Sequence, residues 1–343
     1  VITKTAEAFA NGETWVLRTN GRKRGEEIDT AEAKRIKKLL AKPNAYQTRS
    51  AFESELVINT LLFGWCILYA DKAIGFKNVD AKSIHVISPS EVEIEYKDNS
   101  WKNKNRGWDD IVNIWVVKDG QKSKLYKNNC YIIRDIVPNF CINGFLPTSR
   151  VDTISSAIQN IIDGMESRGV LLRERGIRGI ITNRTSDAGS WFPVNPQEKE
   201  EFMNELKGSF GLLKGQHQIA FSNKDLLYQK MSVPFSELGL MEEDDNSKGK
   251  VCDAYGFPKL LLSNDGTNGA TNSNMQVATR NLYQNLVMPF SKNIFEQIND
   301  FFETDDLNMV IERDYSKLSV LQPDQKEYAE AKLRSNQANN IAF

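Results

Sequence analysis

The sequence predicts an α+β chain: helices and short strands in the first half, then long helices around a small inserted α/β unit. Three observations carry this. Val92, Ile94 and Tyr96 alternate with Glu91, Glu93 and Glu95, the period-two signature of a sheet with one solvated face. Ile154, Ala157, Ile158, Ile161, Ile162 and Met165 fall at i, i+3, i+4, i+7, i+8 and i+11, one continuous apolar stripe along a helix. Val277, Leu282, Leu286, Phe290, Ile294, Ile298 and Phe301 recur at helical spacing near the end.

Taken in order, the Ala, Glu and Lys content from Thr30 to Leu40 favours a helix that Pro43 and Asn44 terminate. Thr48 is placed to cap a second helix over Ser50 to Tyr69. The longest apolar stretch, Leu56 to Ala70, overlaps it, is shorter than the roughly 20 residues of a bilayer crossing and reads as a buried helix. Strands are expected over Ile84–Ile87, Val92–Tyr96, Ile111–Val117 and Tyr131–Val137. Pro138, Asn139, Asn143, Gly144 and Pro147 make an irregular segment, and Asp152 to Arg175 is helical again. A strand over Ile177–Thr182, a helix over Pro196–Lys207 and a strand over His217–Ser222 form the inserted unit. From Pro234 a helix runs to Tyr255, ending at Gly256, Phe257 and Pro258, and a Gly/Asn-rich loop spans Ser263–Ser273. Asn274 to Phe302 is a long helix that Pro289 must kink, and Gln322–Asn340 is helix-prone and polar.

At roughly 150 residues per domain, the 343 residues suffice for two or three domains. Lys+Arg 44 balance Asp+Glu 45, with 40% hydrophobic and 26% charged residues, an ordinary globular composition. The net charge of −1 weighs against tight, sequence-reading DNA binding, which uses a basic excess to displace phosphate counterions. Local basic clusters are Arg22, Lys23, Arg24 and Lys34, Arg35, Lys37, Lys38; the second, on an expected helix, reads as a solvated face, with a phosphate contact as the alternative. Cys66, Cys130, Cys141 and Cys252 include no C-x-x-C pair, so reduced thiols are expected and neither a zinc site nor a disulfide framework. The first residues, beginning at Val1, carry no signal-peptide pattern.

Candidate chemistry is sparse. His85 and His217 lie in different halves, and each reads as structural. The loop from Asn264 to Ala270 has glycines that could cradle a phosphate but lacks the Gly-Lys-Ser/Thr ending. Ser190, between Gly189 and Trp191, lacks the second glycine of a nucleophile elbow. Glu242, Glu243, Asp244 and Asp245 are adjacent on a helix, so their carboxylates fan outward and do not converge on a hard metal. No catalytic residue, cofactor or metal is expected. Two alternatives stay open: a metal-dependent nuclease or phosphotransferase using these carboxylates and the Gly-rich loop, and an interaction scaffold that does not touch DNA.

Several short segments are distinctive as an ordered series. They are Leu39-Leu40-Ala41-Lys42-Pro43-Asn44 followed by Thr48 and Phe52, then Leu61-Leu62-Phe63-Gly64 running into Ile67-Leu68-Tyr69, then Ile87-Ser88-Pro89 with Val92. Gly144-Phe145-Leu146-Pro147 introduces a helix, and Tyr255-Gly256-Phe257-Pro258 precedes the Asn-rich loop and Arg280 to Pro289. Over roughly residues 38 to 302 this series resembles the portal proteins of tailed bacteriophages, the head-to-tail connector family, in its siphophage-type branch. The chain departs from the family pattern in lacking Ser at the Gly144 turn and in carrying Phe257 where a small aliphatic residue is usual.

The resemblance implies a portal fold: a wing over 1–150, a first stem helix over 151–176, a clip over 177–232 and a second stem helix over 233–256. A tunnel loop over 257–273, a long kinked wing helix over 274–304 and a C-terminal wing with partial crown over 305–343 complete it. It implies a non-enzymatic subunit of a closed ring, about twelve copies, around translocating DNA at one capsid vertex. Such a ring serves genome packaging, head–tail joining and DNA ejection. The implied partners are further copies of the chain, double-stranded DNA held non-specifically, the terminase large subunit, a head-completion or adaptor protein and a major capsid or scaffold protein, with no membrane. The implied location is the virion, with assembly in the host cytoplasm. A low-adhesion channel lining is expected from Glu242, Glu243, Asp244, Asp245, Thr267, Asn268, Thr271, Asn272 and Ser273, since a basic bore would grip phosphates. Inter-subunit stem contacts are expected from Asp163, Glu166, Arg168, Arg173 and Arg175.

Overall fold

A computed structural model describes residues 1–20, 23–97, 107–135, 146–173, 179–183, 197, 200, 226–230, 240–262 and 272–322. The chain divides into two compact units, Val1–Ser155 with Gly249–Phe343, and Ser156–Lys248. In the first unit, α1 (Ile2–Ala10) leads into β1 (Glu13–Asn20) and β2 (Lys23–Glu27), followed by α2 (Ala31–Ala41), α3 (Arg49–Phe63) and β3 (Trp65–Asp71). Five strands follow: β4 (Ser83–Ile87), β5 (Val92–Tyr96), β6 (Ile111–Lys118), β7 (Gln121–Leu125) and β8 (Cys130–Arg134). A short α4 (Arg150–Thr153) precedes α5 (Ser155–Arg173), which continues into the second unit. That unit holds an antiparallel pair, β9 (Gly179–Asn183) and β10 (Leu226–Lys230), and the start of α6 (Leu240–Tyr255). The first unit then closes with α7 (Asn272–Asn281), α8 (Met288–Phe302) and β11 (Met309–Asp314).

The expected helix over Ser50–Tyr69 is corrected. Thr48 does cap it, its hydroxyl accepting from the Ala51 N–H at 3.3 Å, but the helix stops at Phe63. Gly64 takes φ 83°, a left-handed conformation that releases the chain from the helix and starts a buried strand at Trp65. That strand is the centre of the sheet β4-β3-β8, antiparallel to both neighbours, with Ile67 opposite Ile87 and Ile132. An apolar run with no polar alternation suits a buried strand as well as a helix, so periodicity alone does not separate them.

The alternation over Val92–Tyr96 is realised as a strand with exposed glutamates between half-buried apolar residues. It pairs with β6, and β6 with β7, as a second three-stranded sheet packed on the Ile67, Ile111, Ile114 and Ile132 cluster. The third sheet joins the two ends of the chain: β1 pairs antiparallel with β11, placing Val16 opposite Ile311. Around it Phe9 meets Phe290 edge-on and stacks on Phe295, each with centroids 6.1 Å apart, and Phe301 meets Phe302 edge-on at 4.8 Å. Arg313 is 1% exposed and forms a bidentate pair with Glu53 at 2.7 and 2.8 Å, above the Phe9 ring. Its remaining bonds reach Phe9 O and Thr14 Oγ1.

Pro289 is accommodated by a π segment over Leu282–Val287, in which the Met288 N–H bonds Tyr283 O. The wider turn supplies what a proline, with no N–H and a bulky ring, would otherwise break. The expected Asp152–Arg175 helix is interrupted at Ile154 (φ −113°, ψ 15°), between α4 and α5. The helix expected over 196–207 lies outside the described residues except for helical positions 197 and 200. The strand expected over 217–222 and nearly all of the C-terminal helix expected from 322 lie outside them as well. Among the described residues no helix is long and apolar enough to cross a membrane.

Candidate functional site

The two long helices share one anchor in the first unit. The Asp135 N–H, just after β8, donates to Gly64 O at 2.8 Å, and its carboxylate is fully buried. Arg150, the first residue of α4, answers it with two bonds, Nε to Oδ2 at 2.5 Å and Nη2 to Oδ1 at 2.8 Å. The same guanidinium lies 5.7 Å from the Tyr255 ring at the end of α6 and donates to Ala254 O. The Tyr255 hydroxyl donates to Leu61 O at 3.2 Å, burial pushing its pKa up while Arg150 opposes. Ser149 caps α4 by accepting from the Val151 N–H and donates to Leu62 O. A Cβ at Gly64 would come within 2.8 Å of Thr148 O, so the end of α3 and the start of α4 need a glycine to meet. One charged pair thus ties the C-terminus of α3, the entry to the first long helix and the exit of the second.

Along α5 the apolar stripe opens progressively. Ala157 is buried, Ile158 and Ile161 are partly covered, and Ile162 and Met165 are 44% and 56% exposed. Asp163 and Glu166 lie exposed on the same stretch, with Gln159 donating to Asp163 at 2.8 Å. Arg168 and Arg173 belong to the α5 backbone, their side chains outside the described set, and Arg175 lies outside the described residues.

Among the described residues the α6 carboxylates diverge. Glu243 is exposed and accepts from Asn160 Nδ2 at 3.1 Å, Asp245 is exposed, and Asp244 turns inward to pair with Lys248 at 2.9 Å. Glu242 is on the α6 backbone, its side chain outside the described set. Thr267, Asn268 and Thr271 lie outside the described residues; Asn272 opens α7 and Ser273 follows it, exposed. Sequence reasoning did not find Asp135, Arg150 or Ser149, because they lie in and around the irregular Gly/Pro segment, where no periodicity signals a contact.

The remaining titratable groups are built into the fold. His85 on β4 bonds the Tyr46 hydroxyl through Nδ1 at 3.0 Å and the Ser83 hydroxyl through Nε2 at 2.9 Å. Burial pushes the Cys66 and Cys130 thiols up to about 12, leaving neither as a nucleophile at neutral pH. Among the described residues no three His, Cys, Asp or Glu side chains group as metal ligands.

Solved structures with this arrangement exist. A chain from the neck of an empty GTA particle, computed with C6 symmetry, superposes with TM-score 0.63 at 17% identity, over 98% of this chain and 84% of that one. A chain from the virion of a native gene transfer agent particle gives 0.62 at 18%, over 98% and 84%. An HK97 family phage portal protein from Corynebacterium diphtheriae gives 0.57 at 12%, over 94% and 95%. At such identities the likeness is one of fold. No curated protein matches the chain. A family model described as phage portal protein matches residues 1–341, essentially the whole sequence, and the ordered segments lie within that match; the chain belongs to the phage portal protein family.

Proposed function

We propose that copies of this chain close head to tail into a ring at one capsid vertex, and that duplex DNA passes through the ring without bond chemistry by the ring itself. The observation that carries this reading is the family match over residues 1–341. The likeness to a chain from the neck of a native GTA particle, computed with C12 symmetry, supports about twelve copies. In this reading residues 1–150 serve as wing, 151–176 and 233–256 as stem, 177–232 as clip and 257–273 as tunnel loop. The long wing helix over 274–304 and the C-terminal wing and partial crown over 305–343 complete it.

The physics of a channel favours weak adhesion. Each neutralised phosphate adds salt-dependent affinity, and a ring repeats every inward charge, so a basic bore would stall DNA. The exposed Glu243 and Asp245 on α6 suit a repulsive lining, with Thr267, Asn268, Thr271, Asn272 and Ser273 adding uncharged polarity. Head-to-tail closure sets one patch against a different one, so Ile162 and Met165, flanked by Asp163 and Glu166, would meet another copy and take charge complements such as Arg168, Arg173 and Arg175. A terminase motor, a head-completion or adaptor protein and a capsid or scaffold protein would dock on the assembled ring, in the host cytoplasm during assembly and in the virion afterwards.

Negative-stain microscopy of the purified chain tests the reading. Closed rings with an axial hole are expected; solitary particles in assembly conditions, or a reconstruction whose bore is lined mainly by Lys and Arg, would overturn it.

A further inference from the structure

A cavity of about 750 Å3 opens in the first unit and uses none of the residues assigned above to channel or stem. One wall is the turn between β3 and β4, where Gly75 takes φ 90° and the Phe76 N–H bonds Ala73 O at 3.3 Å. Lys72 Nζ donates to Phe76 O at 2.7 Å, and Lys72 O accepts from Asn129 Nδ2 at 3.0 Å. The turn is therefore tied to itself and to the segment before β8. It nevertheless holds Ile74 73% and Phe76 59% exposed. On the other side Tyr126 is 57% exposed, and Lys127 lies 5.3 Å from the Trp108 ring while donating to Ile111 O. Phe301 contributes to the lining, itself almost fully buried.

Large apolar side chains held in water on an ordered turn, beside a concave space, mark an interaction site. The charges choose the partner. Lys72, Lys77, Lys127 and Arg134 line the cavity against two carboxylates, Asp300 and Glu303, and Asp306 pairs with Lys77 at 3.6 Å, so four cations face three carboxylates, a small local cationic excess in a chain of net charge −1. A concave slot accepts a protruding side chain better than it accepts the broad face of a second folded copy.

We propose that this cavity docks an acidic peptide segment of another protein, with one large apolar side chain seated between Phe76 and Tyr126 and carboxylates facing Lys72, Lys77 and Lys127. The inference needs only the first unit and does not depend on the ring reading. It is tested by panning a display library of short random peptides on the purified full chain, without counter-selection, and then measuring each recovered peptide on the wild-type and variant chains. Recovered peptides should place Asp and Glu around one aromatic or long aliphatic residue. Their affinity should fall roughly tenfold or more in F76S and in Y126S, and should drop in K77E, while F76Y retains it and thermal unfolding is unchanged. No enrichment, recovery of basic or neutral peptides, or undiminished binding to F76S and Y126S would overturn the proposal. Loss of rings in micrographs of F76S would overturn it too, by making the surface a contact between copies; intact rings without peptide binding would support it and leave the ring reading untouched.

Discussion

Two helices with the same apolar period end in opposite surroundings. In α8, Phe290, Ile294, Ile298 and Phe301 are each 5% exposed or less, covered by α1, the β1–β11 sheet and neighbouring aromatics of their own chain. In α5 the stripe begins buried at Ala157 and ends open at Ile162 and Met165. Periodicity states which face is apolar; it does not state which chain covers it. Since the driving force scales with apolar area removed from water, the open end of the α5 stripe keeps apolar area that a second surface could still cover.

The largest test of the contrast is on the self-covered side. R313M leaves the Glu53 carboxylate buried with only Arg49, at 3.9 Å, in place of its bidentate partner and should cost about 3–5 kcal/mol in urea unfolding. G64A places a side chain at φ 83° against Thr148 O and should cost about 1–3 kcal/mol, because the turn from helix to strand has no room to relax. T48A removes the cap of α3 and should cost about 1 kcal/mol by the same measurement. On the open side M165D should change subunit unfolding by no more than about 0.5 kcal/mol yet abolish rings in micrographs; a large loss of subunit stability would mean that α5 is covered by its own chain.

The smallest expected effect is a pH slope. Burial holds the His85 pKa below its ordinary 6.5, so the unfolded chain binds this proton at higher pH than the folded one. Stability from this group is complete above pH 6.5 and declines as pH falls through 6.5 toward the folded value. H85N should flatten that decline in pH-dependent thermal unfolding, and an unchanged slope would contradict the assignment.

Local signals in the sequence were legible where one face is wet. The Glu alternation of β5 and the Thr48 cap needed only neighbouring residues to be read. The strand β3 was hidden inside an apolar run because a doubly covered strand shows no alternation, and only Gly64 marked the change. The pairing of β1 with β11 joins residues some three hundred positions apart and has no local trace. Where the two long helices enter and leave the first unit, Asp135 and Arg150 could have been noted as opposite charges flanking the Gly/Pro segment, but that they meet, beside the Tyr255 ring, is a property of packing. Asp244 shows the converse: adjacent carboxylates are visible as a run, while the inward turn of one toward Lys248 is a property of packing.

Native mass spectrometry of the wild-type chain tests most directly whether α5 offers its open face to another copy. The account predicts a dominant species at an integral multiple of 38.9 kDa, near twelvefold, that M165D reduces to a single copy. A wild-type chain that remains at 38.9 kDa in conditions of particle assembly, or an M165D chain that keeps the full multiple, would contradict it.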